Sequence, residues 1–442
     1  MFRIRSVFAF AVLTGSILAT FLTPKPVQAQ SDPFDIYVND SRDLDDLNPA
    51  DATCDADIAS DDQCTLRAAI STANAYKGDD SPVWIHLPPG EYLLDIPKSG
   101  TDSSAKGDFD IYYPKADVVI EGMDPQNPSF IDGNQIDRVF DISGPNTLNV
   151  NLYNLIITNG VVYNDIDYAE GGGGIRNFAN LTLDNVSIEN NMVSCTPPTG
   201  CTGSVGGGIL NIGHITISNS TIRNNYGYRG GALFNTGGNP GIEIWNSTIY
   251  GNSAFSVGAI NSFSPVTITN STISGNSDTN STGGIFMSSA ELKMANVTLA
   301  GNRSNSWLGS NLYSNFTIQA RNSIIADPDP GKANCQITPG PMISQGYNIS
   351  SDASCVFTGT GDLVDTDPRL SILADWGGAT FTRALLAGSP AINAGNPAGC
   401  KSFLFDVDLS YDQRGQPRFP GRCDIGAFEG AIYPVYLPAV RR

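Results

Sequence analysis

Ile215-Thr216-Ile217-Ser218-Asn219-Ser220-Thr221-Ile222-Arg223-Asn224-Asn225 is the stretch that decides the fold. Apolar and polar residues alternate up to Asn219, so an extended segment here has one apolar face. The pattern recurs around Asn154, Asn185, Asn246, Asn270, Asn296 and Asn322, with successive spacings of 31, 34, 27, 24, 26 and 26 residues. Two positions before each Asn stand Leu152, Leu183, Ile217, Ile244, Ile268, Met294 and Ala320. Four before stand Val150, Leu181, Ile215, Ile242, Val266, Leu292 and Ile318. Three after, the residue is always Ile or Leu. A second Asn follows six positions on, at Asn191, Asn225, Asn252, Asn276 and Asn302. Gly pairs recur before another apolar position, as in Gly173-Gly174-Ile175, Gly207-Gly208-Ile209 and Gly283-Gly284-Ile285.

A repeat of about 25 residues is too short for a propeller blade, which needs about 40–50. It fits one coil of a parallel β-helix, with three short strands and Gly or Asn corners. Asn and Gly tolerate left-handed backbone angles at corners. Stacked Asn side chains can also bond from coil to coil. The expected fold is all-β, with nine or ten coils over residues 83–365. Such a rod needs capped ends. In residues 66–75, Leu66, Ile70 and Ala73 share one helical face. That segment is read as an amphipathic capping helix within an N-terminal cap, residues 30–82. Beyond about Asp365 the repeat fades.

Composition narrows the function. The 442 residues include 46 Gly and 27 Pro, and the 25 basic and 44 acidic residues give a net charge of −19. Nucleic acid is excluded as a partner, since it needs a basic surface. Residues 1–29 read as a cleaved secretory signal: basic start, apolar run, then Val27-Gln28-Ala29. The remaining chain shows no segment long enough for a transmembrane helix. In an exported chain the eight cysteines read as disulfides, with the local pairs Cys54 and Cys64, Cys195 and Cys201, Cys335 and Cys355, and Cys400 and Cys423 the expected connectivity.

Two further stretches carry a resemblance. Cys64-Thr65-Leu66-Arg67-Ala68-Ala69 resembles the Cys-Ser-Leu-Arg-Glu-Ala (CSLREA) motif that opens many exported bacterial β-helix proteins, departing from it at Thr65 and Ala68. Residues 366–430 resemble the choice-of-anchor Q domain. The matching blocks are Trp376-Gly377-Gly378-Ala379-Thr380, Leu385 through Gly395, Asp412-Gln413-Arg414-Gly415-Gln416-Pro417-Arg418 and Cys423 through Glu429. The repeats between are similar to pectin-lyase-like helices. The resemblance implies a right-handed parallel β-helix and a secreted, extracellular or cell-surface location in a bacterium. Residues 431–442 form a tail, read either as a short sorting signal or as a last strand.

Chemistry is less legible. From Asn151 to Arg321 the outward columns hold no group of carboxylates on adjacent coils, which a paired-carboxylate glycosidase would need. Glu243 and Trp245 point outward from one strand. Tyr163 and Tyr168, Tyr226 and Tyr228, and Tyr250 and Phe255 follow successive aligned strands in corresponding loops, where rings stack on sugars or on one another. Asp165, Asp167 and Glu170 in one loop, and Asp406, Asp408 and Asp412 in another, could hold Ca²⁺ through oxygen ligands. No other cofactor is expected. His86 reads as structural, and His214 follows its glycine where polygalacturonase-like enzymes have a His-Gly pair. The leading expectation is a non-catalytic surface for adhesion or for contact with extracellular polysaccharide or cell-envelope components. The alternatives are a pectin-lyase-type lyase or hydrolase and a structural envelope protein.

Overall fold

Asn219 has φ +48°, and Asn154, Asn185, Asn246, Asn270, Asn296 and Asn322 all lie between +47° and +58°. This is the left-handed region, which a short amide side chain enters more readily than most. Each of these residues bends the chain from one sheet into the next. The computed structural model describes residues 34–56, 63–78, 82–97, 107–163, 171–195, 201–237, 241–419 and 421–432. The expected signal segment and the end of the tail lie outside them.

The chain winds as a right-handed parallel β-helix with long sheets of eleven, ten and nine strands. The apolar columns stack in register: Ile215, Ile242, Val266, Leu292 and Ile318 pair in turn, as do Ile217, Ile244, Ile268, Met294 and Ala320. All are buried, and one continuous core runs from Ile36 to Phe357. Each buried Ile, Leu, Val or Met in these columns is worth about 1.5–3 kcal/mol of burial.

The second Asn column does different work. Asn191 Nδ2 donates to Asn225 Oδ1 at 3.0 Å, and the same bond joins Asn225 to Asn252, Asn252 to Asn276 and Asn276 to Asn302, each at 2.9 Å. These amides lie inside the rod, where an unpaired polar group would be costly. Stacking satisfies each with the next. Bending and bonding are thus divided between the two columns.

Two features differ from the expected three-strand coil. A fourth, six-stranded sheet runs from Val161–Tyr163 to Arg303–Ser304. The recurrent Gly pairs stand where its backbone passes. A Cβ on Gly207 would lie 2.4 Å from the backbone of Tyr226, and one on Gly231 2.4 Å from Ser253 O. At the N-terminal end, the strand Phe34–Tyr37 pairs with Val83–Leu87 and extends the eleven-stranded sheet by one strand.

The capping helix spans Leu66–Ala75, with Thr65 as its N-cap accepting from Ala68 N. It is buried from Leu66 to Ala73, on its polar face as well as on its apolar one. The segment 43–46 covers its outer face, where Ser71 bonds Asp45 and Arg67 meets Asp43 at 2.6 Å. Arg67 also donates to the carbonyls of Gly107 and Asp108, tying cap to coil. All four expected disulfides form.

The C-terminal segment docks against the helix. Thr380 donates to Asn246 O, Gln413 bonds Thr248 and Thr272, and Arg418 reaches Asn270. Ala427 N donates to Thr298, and Gly426 N to Asn322 O. These contacts cover part of the ten-stranded sheet.

Candidate functional site

Side chains between the buried ones point away from the core, and strand pairing aligns them into columns. On the eleven-stranded sheet one outward column runs Tyr37, His86, Glu121, Tyr153, Asp184, Ser218, Trp245, Thr269, Ala295 and Arg321. The neighbouring column runs Asp35, Trp84, Val119, Asn151, Thr182, Thr216, Glu243, Thr267, Lys293 and Gln319. Rings and carboxylates gather at the N-terminal end.

There the Tyr37 ring stacks on His86, with centroids 4.6 Å apart and planes at 17°. Trp84 lies 6.0 Å from the same imidazole. His86 Nε2 is 2.9 Å from Asp35 Oδ1, and Nδ1 is 3.8 Å from Glu121 Oε2. Tyr37 remains 59% exposed. Burial pushes the Tyr153 hydroxyl above its ordinary range, and the carboxylates of Asp184 and Glu121 add to this. That hydroxyl therefore stays protonated at neutral pH. Asp35 and Tyr37 also border an open cleft of about 460 Å³ lined by Asn39, Thr53, Cys54 and Cys64. The arrangement offers flat rings, a neutral hydroxyl and two half-exposed carboxylates on one rigid face. Those are the groups that grip a polyhydroxylated ligand.

The residues singled out from sequence fall on three different sheets. Glu243 and Trp245 lie on this outward face, half-buried, toward its C-terminal half. Tyr163, Tyr226 and Tyr228 lie in strands of the fourth sheet and not in loops; Tyr228 stacks on Phe255 at 4.7 Å, while Tyr163 and Tyr226 stay exposed. Tyr250 is on the ten-stranded sheet, stacked on Phe381 of the docked segment at 5.8 Å and bonded by Arg223, itself held by Glu189 at 2.6 Å. Tyr168, Asp165, Asp167 and Glu170 lie outside the described residues.

The second acidic group does not converge as expected. Asp406 pairs with Arg321 at 3.0 Å and Lys401 at 3.3 Å, and the bond from Arg321 holds its carboxyl below the ordinary range. Asp412 is turned inward and bound by Arg414. Its fixed partners are the backbone N–H groups of Arg414, Gln416 and Glu429, so it organises a turn.

Among the described residues, one set of three carboxylates approaches metal-ligand geometry: Asp108, Asp110 and Asp141, with oxygens within 4.8 Å of one another and all buried. Strand pairing sets Asp110 beside Asp141. Arg138 meets Asp108 at 2.9 Å, and Arg176 reaches Asp141 through Nε at 3.0 Å. Burial drives the Asp108 carboxyl well above the ordinary range; Arg138 opposes this, and Asp110, Asp137 and Asp141 add to it. Two guanidinium groups already supply cationic partners there, so the set is an interior ion network.

Asp35, Tyr37, Trp84, His86 and Glu121 were not read as a group from sequence. The signal was present: Phe34, Ile36 and Val38, and Val83, Ile85 and Leu87, recur with the same period of two as the inward residues of the later repeats. The corner Asn that marks those repeats is missing, and Gly122 takes its place after Glu121.

No family model matches the chain, and no curated protein matches it. A similar solved structure is the crystal structure of pectate lyase Pel9A, at 14% identity and a TM-score of 0.44, covering 90% of this chain and 96% of that one. At that likeness nothing about activity transfers. The fold rests on the strand pairing itself. Among the described residues no helix is long and apolar enough to cross a membrane.

Proposed function

We propose that this is an exported, surface-displayed β-helix that binds glycan chains on the outer face of its eleven-stranded sheet without cleaving them. The observation that carries the reading is the ladder Tyr37, His86, Glu121, Tyr153, Asp184 and Trp245, which sets rings and carboxylates in register along one rigid face. From Tyr37 to Trp245 it spans six strand intervals, roughly 29 Å at about 4.8 Å each, enough for several sugar units. Rings set along a groove are a sequence-tolerant way to hold a chain of sugars. Export is supported by the signal-like start and the four disulfides. The CSLREA-like and anchor-like blocks support display at a bacterial surface. The anchor-like blocks also supply the groups that clamp the C-terminal segment to the rod, among them Thr380, Gln413, Arg418 and Ala427.

The test is a glycan array with the full chain, repeated with Trp84→Ala and Trp245→Ala. Binding that falls at least tenfold in either variant supports the reading. Binding unchanged in both, or no binding by the wild type, refutes it.

One observation favours a second reading, glycoside hydrolysis. Asp35 and Glu121 face the two nitrogens of one imidazole, which keeps their oxygens no more than roughly 9 Å apart, below the upper limit of the separations that paired-carboxylate hydrolases use. New reducing ends on incubation with a polysaccharide, abolished by Glu121→Gln, would establish it in place of simple binding.

A further inference from the structure

The charge on the ring-bearing end of this face selects among glycans. From the first strand to the strand His214–Ser218, the two outward columns contain Asp35, Glu121 and Asp184 and neither Lys nor Arg. The basic members, Lys293 and Arg321, stand at the far end, and each already has an acidic partner: Glu291 at 3.1 Å and Asp406 at 3.0 Å. An acidic polysaccharide laid along Tyr37 and Trp84 would meet carboxylates and no fixed cation. The whole chain, at net −19, repels it as well.

From this we infer that the N-terminal end of the sheet is a site for a cationic amino-sugar glycan, a polymer or oligomer of glucosamine with free amines; the inference rests on the glycan-binding reading above. Three features converge on such a ligand. The exposed outer face of Tyr37, with Trp84 close by, offers a flat surface for the C–H face of a sugar ring. The same rings attract an ammonium group through their negative faces. Glu121 stands 3.8 Å from His86, beyond hydrogen-bond range, and its side chain is 33% exposed, so it is placed to accept from a ligand amine. Asp184 lies two strands further along the same column. Carboxylates thus recur beside the rings along the direction a bound chain would follow. A lysine-rich peptide shares the charge but lacks the rigid, flat C–H faces that suit the rings, so it is an outcome of the test and not the proposal.

The experiment is calorimetric titration of the full chain with a glucosamine tetramer, an N-acetylglucosamine tetramer, a galacturonate tetramer and a short oligolysine. It is repeated with Trp84→Ala and with the double variant Asp35→Asn/Glu121→Gln, whose surface amides keep the shape of the acids they replace. The glucosamine tetramer is expected to bind at least tenfold more tightly than the acetylated one. Its affinity should fall at least tenfold in each variant and drop with added salt. Equal binding of the acetylated and free-amine tetramers, tighter binding of galacturonate, no effect of the double variant, or oligolysine binding as tightly as glucosamine would each overturn the inference. Ring-dependent binding of the acetylated tetramer alone would leave the glycan reading standing and sink the amino-sugar claim. Failure of every sugar would sink both.

Discussion

Replacing Asn252 with Ala removes one inner rung of the interior amide ladder. Asn252 Oδ1 accepts from the backbone N–H of Asn225 at 3.0 Å and from Asn225 Nδ2 at 2.9 Å. Its own amide donates to Ile222 O and to Asn276 Oδ1, each at 2.9 Å. Some partners are cushioned in the variant. Asn225 Nδ2 keeps Ile188 O, and Asn276 Oδ1 keeps the backbone N–H of residue 252. The backbone N–H of Asn225 loses the acceptor that holds it, at a fully buried residue. An orphaned buried donor costs about 1–3 kcal/mol and a further lost bond about 1, so the variant should lose about 2–4 kcal/mol. In a solenoid each coil touches only its neighbours, so the loss should be local. The assay is amide hydrogen exchange. Protection in residues 222–276 should fall about 30- to 700-fold, at 1.4 kcal/mol per factor of ten, while the strands Val83–Leu87 and Val118–Gly122 keep theirs. The outward substitution Thr267→Ala is the control and should change stability by less than about 0.5 kcal/mol. Protection that falls less than threefold at those coils, or falls evenly along the chain, would refute the account of the ladder.

Four further outcomes are expected. Asp108 has a folded-state pKa above its unfolded one, so its contribution to stability is complete below the unfolded value near 3.8 and is lost as pH rises through the folded value; Asp108→Asn should flatten that decline in denaturant titrations run across pH. Arg418→Met strands Glu429, which pairs with Arg418 at 2.9 Å with both side chains buried, and should cost about 3–5 kcal/mol in a urea melt. Gln413→Ala breaks bonds to Thr248, Thr272 and Thr380; it should leave the rod's exchange protection intact and expose the C-terminal segment to limited proteolysis. Removing the Cys335–Cys355 bridge, with a sequence separation of 20, should destabilise more than removing Cys195–Cys201, with a separation of 6, about 3.3 against about 2.4 kcal/mol by loop entropy.

What could be read from the sequence follows from what the fold must repeat. A buried column admits little besides Ile, Leu, Val and Met, because each coil must fill the same interior space and pair in register with the next. Hence Ile215, Ile242 and Val266 announced themselves. The corner Asn showed for a similar reason, since few side chains accept its backbone angle. The fourth sheet was hidden because its strands are short, two to four residues each. Ser277–Asp278 and Arg303–Ser304 hold two residues each, too few to display alternation. Its trace lay instead in the Gly pairs, which record where a backbone passes too close for a Cβ. The docked segment escaped because its contacts join residues more than 100 positions apart, as in Thr272 to Gln413, and periodicity carries no information over such a gap. The outward columns are the remaining case. Nothing in the interior constrains them, so they are free to differ from coil to coil, and a search for repeats discards them as noise. Tyr37, Trp84, His86 and Glu121 stand out against Asn151, Thr182, Thr216 and Ser218, which follow on the same face. In a scaffold whose stability depends on sameness inside, the departures from sameness outside are where a ligand can be recognised.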